Sequence, residues 1–158
     1  MKHLIFTIAA AALLVLATET ASAQLSKTAI GGNLAISFDR DNFYFGIAPK
    51  GQYYFTDNFR GEAVVTFFLP KNSIMFLDLG INLHYLFPIA DNASLYPILG
   101  ASFYAMSEEK RSDLSLWPTG ALGGGIELAF LENWVVSGEL KYKITTNSQR
   151  NYGMLTVG

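Results

Sequence analysis

Ile126-Glu127-Leu128-Ala129-Phe130-Leu131-Glu132-Asn133-Trp134-Val135-Val136-Ser137-Gly138-Glu139-Leu140-Lys141-Tyr142-Lys143-Ile144-Thr145 is the stretch that decides the fold. Ile126, Leu128, Phe130, Trp134, Val136, Leu140, Tyr142 and Ile144 form one apolar set, and Glu127, Ser137, Glu139, Lys141, Lys143 and Thr145 stand between them as a polar set. That is a period of two. A strand sends successive side chains to opposite faces, so the stretch predicts two strands joined by a turn at Leu131-Glu132-Asn133, each with one greasy and one wet face. The plan recurs at Phe55-Thr56-Asp57-Asn58-Phe59 and at Phe87-Pro88-Ile89-Ala90-Asp91-Asn92-Ala93. An aromatic residue, a short polar turn and another alternating run follow one another each time, which implies repeated hairpins.

Working outward, eight strands are expected at about 27–38, 43–55, 59–69, 74–87, 93–106, 116–130, 134–145 and 151–158. Upstream of them, Lys2 and His3 precede the apolar run Leu4 to Ala17, and Ala21-Ser22-Ala23 has the small-x-small form of a cleavage site. Residues 1–23 therefore read as a secretory signal peptide, with an apolar run shorter than the roughly 20 residues of a spanning helix. Residues 24–158 remain as one domain, and the absence of cysteine excludes disulfides, thiolate metal sites and cysteine nucleophiles.

Composition then selects the environment. The chain is 51% hydrophobic and 14% aromatic but only 15% charged, against about 25% in a typical soluble domain. No stretch after residue 23 has the length of a membrane helix, so a membrane-embedded chain has to close as a barrel, the other structure that satisfies its backbone in lipid. Net charge of -2 and the lack of a basic cluster argue against nucleic acid as a partner.

The two faces differ in a way that orients them. Phe43, Phe45, Tyr53, Phe55, Phe59, Phe67, Tyr85, Phe87, Phe103, Phe130, Trp134 and Tyr142 fall on the apolar face, too many rings for the interior of an eight-stranded barrel. Small residues such as Ala35, Gly46, Ala48, Gly80, Gly100, Ser102, Ala121, Gly123 and Gly125 fall on the other. The apolar face is expected to meet lipid, with Phe55, Phe59, Tyr85, Phe87, Phe130 and Trp134 as an interfacial girdle beside the short turns.

The signal peptide, the alternation and the turn motifs Tyr54-Phe55-Thr56-Asp57-Asn58, Phe87 through Asn92 and Phe130-Leu131-Glu132-Asn133 resemble those of small bacterial outer-membrane β-barrel proteins of the OmpX and OmpA transmembrane-domain type, often labelled porin-like. The resemblance implies an all-β, eight-stranded antiparallel up-and-down transmembrane barrel in the cell outer membrane, monomeric and surrounded by outer-membrane lipid. It also implies periplasmic chaperones and the barrel-insertion machinery as partners. One departure is that residues 151–158 fall short of the roughly 9 to 11 residues of a spanning strand and end on Gly158, so the last strand reads as incomplete.

Within such a barrel Lys50, Arg60, Lys141 and Lys143 would face the lumen with Glu62, Asp78, Glu127 and Glu139. Charges in a narrow interior must pair or be hydrated, and equal numbers of each sign suggest a plug of ion pairs. Lys50 is placed diagonally to Glu62, and Glu127 close enough to Glu139 to need a cation, Lys141 or one from across the lumen. His84, the one histidine after residue 23, faces inward without a serine beside it, so a hydrogen-bonded lumen histidine is expected rather than a catalytic base. Gly123-Gly124-Gly125 lacks the lysine and helix of a phosphate loop and reads as close packing. Asp39, Asp41 and Asn42 lack the glycine and distal glutamate of a calcium loop, so no metal or cofactor is expected. Pro49 falls within a strand, where a bulge or register break is expected.

These features point to a structural or surface-interaction barrel without enzymatic activity, the alternative being a narrow channel for small solutes or ions. The mature chain is expected to begin at Gln24, which intact-mass measurement on envelope-purified protein checks; retention of residues 1–23 contradicts it.

Overall fold

The computed structural model describes residues 27–39, 42–71, 74–108, 115–131, 134–146 and 151–158. Residues 1–23 lie outside them, as do Arg40, Asp41, Glu132 and Asn133. Nine strand segments run in order: β1 Thr28–Asp39, β2 Asn42–Tyr54, β3 Phe59–Lys71, β4 Ile74–Tyr85, β5 Phe87–Ala90, β6 Ala93–Glu108, β7 Ser115–Leu131, β8 Trp134–Thr145 and β9 Tyr152–Val157. Segments β4 and β5 lie against β6 in one continuous register, Leu83 opposite Leu99 and Phe87 opposite Leu95, so they are one stave interrupted at Leu86. Nine segments thus make eight staves, all antiparallel to their neighbours.

The sheet closes on itself through β9. Its residues Gly153 to Val157 pair with Phe38 to Leu34 of β1, and Tyr152 to Val157 pair with Lys143 to Gly138 of β8. Beyond β9, Gly158 still exchanges both backbone bonds with Ser137. The ring therefore closes over Leu34–Phe38 of β1 and Gly138–Lys143 of β8 although the last segment has only 6 residues, because both edges of β9 find a ladder.

Alternation does what the sequence pattern implies. Leu34, Phe43, Phe45, Ile47, Leu79, Ile81, Leu99, Phe103, Leu122, Leu140, Tyr142 and Leu155 are exposed around the outside, and Asn33, Ala35, Ser37, Ala48, Lys50, Thr66, Asp78, Asn82, Ser102, Ala121, Glu139 and Thr156 are buried inside. An outer wall of large apolar side chains is what hydrocarbon requires and what water would penalise. Among the described residues no helix is long and apolar enough to cross a membrane; the strands do the crossing.

Three details differ from expectation. The β4–β5 stave extends to Ala90, so the turn shrinks from 88–92 to Asp91-Asn92, with a register shift between Pro88 and Ala90. Leu86 leaves the ladder because its side chain is buried in the lumen, and Asn58 takes over its backbone: the Asn58 carbonyl accepts from the Leu86 N–H at 2.7 Å and Asn58 Nδ2 donates to the Leu86 carbonyl at 3.0 Å. Near Pro49 the β2–β3 ladder lapses between Ile47 and Lys50, yet resumes in the same register, and Pro49 stays opposite Gly32 of β1. Proline removes a donor without lengthening its strand, so bonds are lost and no bulge forms. The shifts fall at strand ends instead, between Phe68 and Lys71, Pro88 and Ala90, and Ala129 and Leu131.

The glycine run has the tight packing its sequence suggests. A Cβ on Gly125 would lie 2.5 Å from the Tyr96 ring, and one on Gly123 2.9 Å from the Lys141 Cα, so a β6 side chain and the β8 backbone lie directly on the β7 backbone.

The wall makes a testable contrast. Leu140, 57% exposed and central in β8, meets lipid, while Thr119 is buried in the lumen. Leu140→Arg should cost about 2–4 kcal/mol in an unfolding titration in vesicles, whereas Thr119→Ser should be mild; equal costs would mean that the faces are reversed.

Candidate functional site

The candidate site is the filled interior, and strand parity builds it. Lys50, Gln52 and Tyr54 alternate inward on β2, as do Arg60, Glu62, Val64, Thr66 and Phe68 on β3. Phe76, Asp78, Gly80, Asn82 and His84 do so on β4, and Ser137, Glu139, Lys141, Lys143 and Thr145 on β8. All eight charges singled out in the sequence point into the lumen. Seven are buried, and the Glu127 side chain is 13% exposed.

They sort into three levels. Toward the end that carries the long connections, Lys143 Nζ lies 3.0 Å from Asp78 Oδ2, which also accepts from the Tyr152 hydroxyl at 2.6 Å; Lys143 donates as well to Ser102 Oγ at 3.1 Å. In the middle, Glu139 accepts from Lys141 Nζ at 2.6 Å, from Tyr96 at 3.0 Å and from Thr156 at 3.0 Å. Lys50 stands between two carboxylates, 3.8 Å from Glu62 and 3.9 Å from Glu139, and donates to Ser137 Oγ at 3.2 Å. Glu62 is further held by Gln52 and Asn82, each at 2.9 Å. Toward the turn end, the Arg60 guanidinium crosses the lumen from β3 to Glu127 on β7 at 2.6 Å.

The cation required by the neighbouring carboxylates is thus supplied twice: Arg60 serves Glu127 from across the lumen and Lys141 serves Glu139 on its own strand. Lys50 does lie diagonal to Glu62, with Gln52 directly opposite that carboxylate.

His84 belongs to the lower level and is wholly buried. Arg60 Nε donates to its Nδ1 at 3.0 Å, and its ring stacks on Tyr96 with centroids 4.9 Å apart. A neutral imidazole that accepts at Nδ1 carries its proton on Nε2. That nitrogen has no hydrogen-bond partner and lies 4.0 Å from Glu62 Oε1.

Glu62, His84 and Glu139 bring ligand-type atoms within 4.8 Å of one another, but their chemistry does not fit a metal ion. His84 Nε2 presents a proton rather than a lone pair, and Lys141 and Lys50 already stand where the cation would sit.

Clusters of rings and aliphatic side chains lie above and below the charges, and these the sequence reading missed. Phe68, Phe76, Tyr152 and Met154 cluster with Tyr44 and Tyr104 at the loop end. Their rings run in a chain, Tyr44 to Phe76 at 4.8 Å, Phe76 to Tyr104 at 5.6 Å and Tyr104 to Tyr152 at 5.5 Å. At the turn end Leu86, Tyr96 and Ile98 cluster with Tyr54, and the Arg60 guanidinium lies 4.7 Å from the Tyr96 ring and 5.6 Å from that of Tyr54. The signal was present: Phe43-Tyr44, Tyr53-Tyr54 and Phe67-Phe68 are adjacent aromatic pairs, and two neighbours on a strand cannot share a face.

The rings assigned to the girdle lie at the outer surface beside the turns. Phe55, Tyr85, Phe87, Phe130 and Trp134 are exposed and Phe59 half-exposed, with Phe55 on Phe59 at 5.4 Å and Tyr85 on Phe87 at 4.8 Å.

The sequence profile described as "Outer membrane protein beta-barrel domain" matches residues 8–158. No curated protein matches the chain in sequence. Solved structures resemble it in fold. Neisserial surface protein A has a TM-score of 0.62 at 16% identity, over 84% of this chain and 94% of that one. The N-terminal β-barrel domain of Pseudomonas aeruginosa OprF has a TM-score of 0.63 at 11% identity, again over 84% and 94%. Ail, the attachment invasion locus protein of Yersinia pestis, has a TM-score of 0.52 at 18% identity, over 83% and 93%.

The Asp78–Lys143 pair offers a stability test of the interior. Asp78→Ala and Lys143→Ala should each cost about 3–5 kcal/mol by stranding a buried partner, and the double variant should cost clearly less than their sum. Strictly additive losses in equilibrium unfolding would show that the pair is not coupled.

Proposed function

Because the chain belongs to the outer-membrane β-barrel domain family and so resides in the outer membrane, amid its lipid, we propose that it is a structural or surface-interaction barrel with a filled, closed lumen and no catalytic role. The observation that carries this reading is the layering of the interior. Four cations and four carboxylates stand at contact distance between an aromatic layer at the loop end and a second apolar cluster at the turn end. Water would have to displace both layers to pass through. A channel needs a hydrated path, and a solute would meet ion pairs whose separation leaves buried charges uncompensated.

In this reading the turn end faces the periplasm, and Phe55, Phe59, Tyr85, Phe87, Phe130 and Trp134 anchor the barrel at that interface. The signal peptide at residues 1–23, cleavage before Gln24, monomeric state and use of periplasmic chaperones and the insertion machinery belong to the same proposal. His84 fits this reading, because a guanidinium donating to Nδ1 takes the lone pair a general base would need.

Planar-bilayer recording tests the reading. The wild type should conduct poorly at neutral pH, and Lys141→Ala, which strips Glu139 of its 2.6 Å partner, should destabilise the barrel, admit water and raise conductance. A large, steady wild-type conductance that the substitution leaves unchanged would favour the narrow channel.

A further inference from the structure

The outer wall has a recess where its side chains run short. Across β1, β2, β3, β4 and β6 the directly paired row Ile30, Gly51, Ala63, Ile81, Ala101 sets Gly51 and Ala63 between two isoleucines, 69% and 68% exposed, with Ala101 beyond them. In the next row toward the turns, Gly61 stands between Tyr53 and Leu83. Small residues among large ones leave an open-sided hollow of about 850 Å³ in the wall itself.

Hydrocarbon has to fill this hollow, because the wall faces lipid and a void beside it forfeits contacts. Lipid tails are as apolar as any side chain, so burial alone gives no one lipid an advantage there. Selection requires a polar contact at an end of the hollow, and the turn-side rim supplies it. Thr28 and Tyr53 line that rim and pair directly with each other. Tyr53 is 45% exposed and meets the girdle ring Phe55 edge-on at 5.2 Å, which puts the rim at the level where headgroups begin. Lys27 comes next in the chain and is exposed. Its carbonyl accepts from the Tyr54 N–H at 2.6 Å, which fixes it one residue beyond the Thr28–Tyr53 pair. Among the described residues no carboxylate stands at ion-pair distance from Lys27.

We propose that this recess is the seat of a single anionic phospholipid from the leaflet on the turn side: an acyl chain lies in the hollow over Gly51, Gly61 and Ala63, and Lys27 meets the phosphate together with the hydroxyls of Thr28 and Tyr53. The chain enters from the rim and runs toward mid-membrane, the direction in which the hollow extends. The seat does not depend on whether the lumen conducts.

Charge decides the class of lipid. An ammonium offers phosphate a point charge and three donors. A headgroup with an uncompensated phosphate gives Lys27 its full attraction, whereas the amine of a zwitterionic headgroup brings a second cation beside it. The exposed Asp57 and Asp91 leave the rest of the described turn end acidic, so general attraction does not favour an anionic lipid there. The preference is local to Lys27. One basic residue at a membrane surface is worth about fivefold in affinity for an anionic lipid.

Native mass spectrometry of the protein released from nanodiscs of equimolar phosphatidylglycerol and phosphatidylethanolamine tests the seat. Wild type should keep a single phosphatidylglycerol in preference to phosphatidylethanolamine, and Lys27→Gln should lower that preference about fivefold. Ala63→Phe fills the floor and should abolish retention, while Leu140→Phe, on β8 across the barrel, should leave it intact. Wild type that keeps no lipid, or keeps both equally, overturns the proposal. Retention that survives Ala63→Phe places the lipid elsewhere and overturns it, as does an equal loss in Leu140→Phe. Should Ala63→Phe fail to insert, phosphatidylglycerol spin-labelled on its acyl chain decides in vesicles: a motionally restricted component that falls in Lys27→Gln is required, and an equal component in wild type and variant overturns the seat.

Discussion

Hydrocarbon offers a peptide group nothing to bond with, and every feature of this barrel depends on that constraint. The chain satisfies it by pairing each stave with two neighbours until β9 lies between β8 and β1. Once the ring is closed, parity is no longer free. A residue that points out meets lipid and must be apolar; its neighbour points in and must fit a space that eight strands leave only wide enough for side chains.

That restricted space explains the interior. Long cations can be buried there only because carboxylates meet their ends, from other strands for Lys50, Arg60 and Lys143 and from its own strand for Lys141, and the carboxylates are in turn held by neutral donors: Glu62 by Gln52 and Asn82, Asp78 by Tyr152, Glu139 by Tyr96 and Thr156. Breaking such a layer costs more than forming it gains, since a stranded charge in a dry interior has no water to turn to. Tyr152 and Thr156 extend this to assembly, because they carry the short β9 into the polar network from the inside while its backbone closes the ladder.

The lower level differs in kind. There the Arg60 guanidinium meets an imidazole and two aromatic rings as well as a carboxylate. The stacking of His84 on Tyr96, and of Arg60 over the same ring, couples that contact to the apolar cluster beneath it.

Strand existence, the outer face and the inward direction of Lys50, Arg60, Glu62, Asp78, Glu127, Glu139, Lys141 and Lys143 were legible in the sequence, because all follow from a period of two, a local property that each strand carries by itself. Parity could also have placed Tyr44, Tyr54 and Phe68 inside, had the adjacent aromatic pairs been weighed. What a linear pattern cannot contain is contact between strands that are distant in the chain. That Arg60 serves Glu127 while Lys141 serves Glu139, that Leu86 breaks its stave to join the lumen, that Pro49 costs ladder bonds without a bulge, and that β9 pairs on both edges were decided by the tertiary structure. The physical reason is that each depends on shear and register around the closed ring, which set who stands opposite whom across the lumen and are properties of all the staves together.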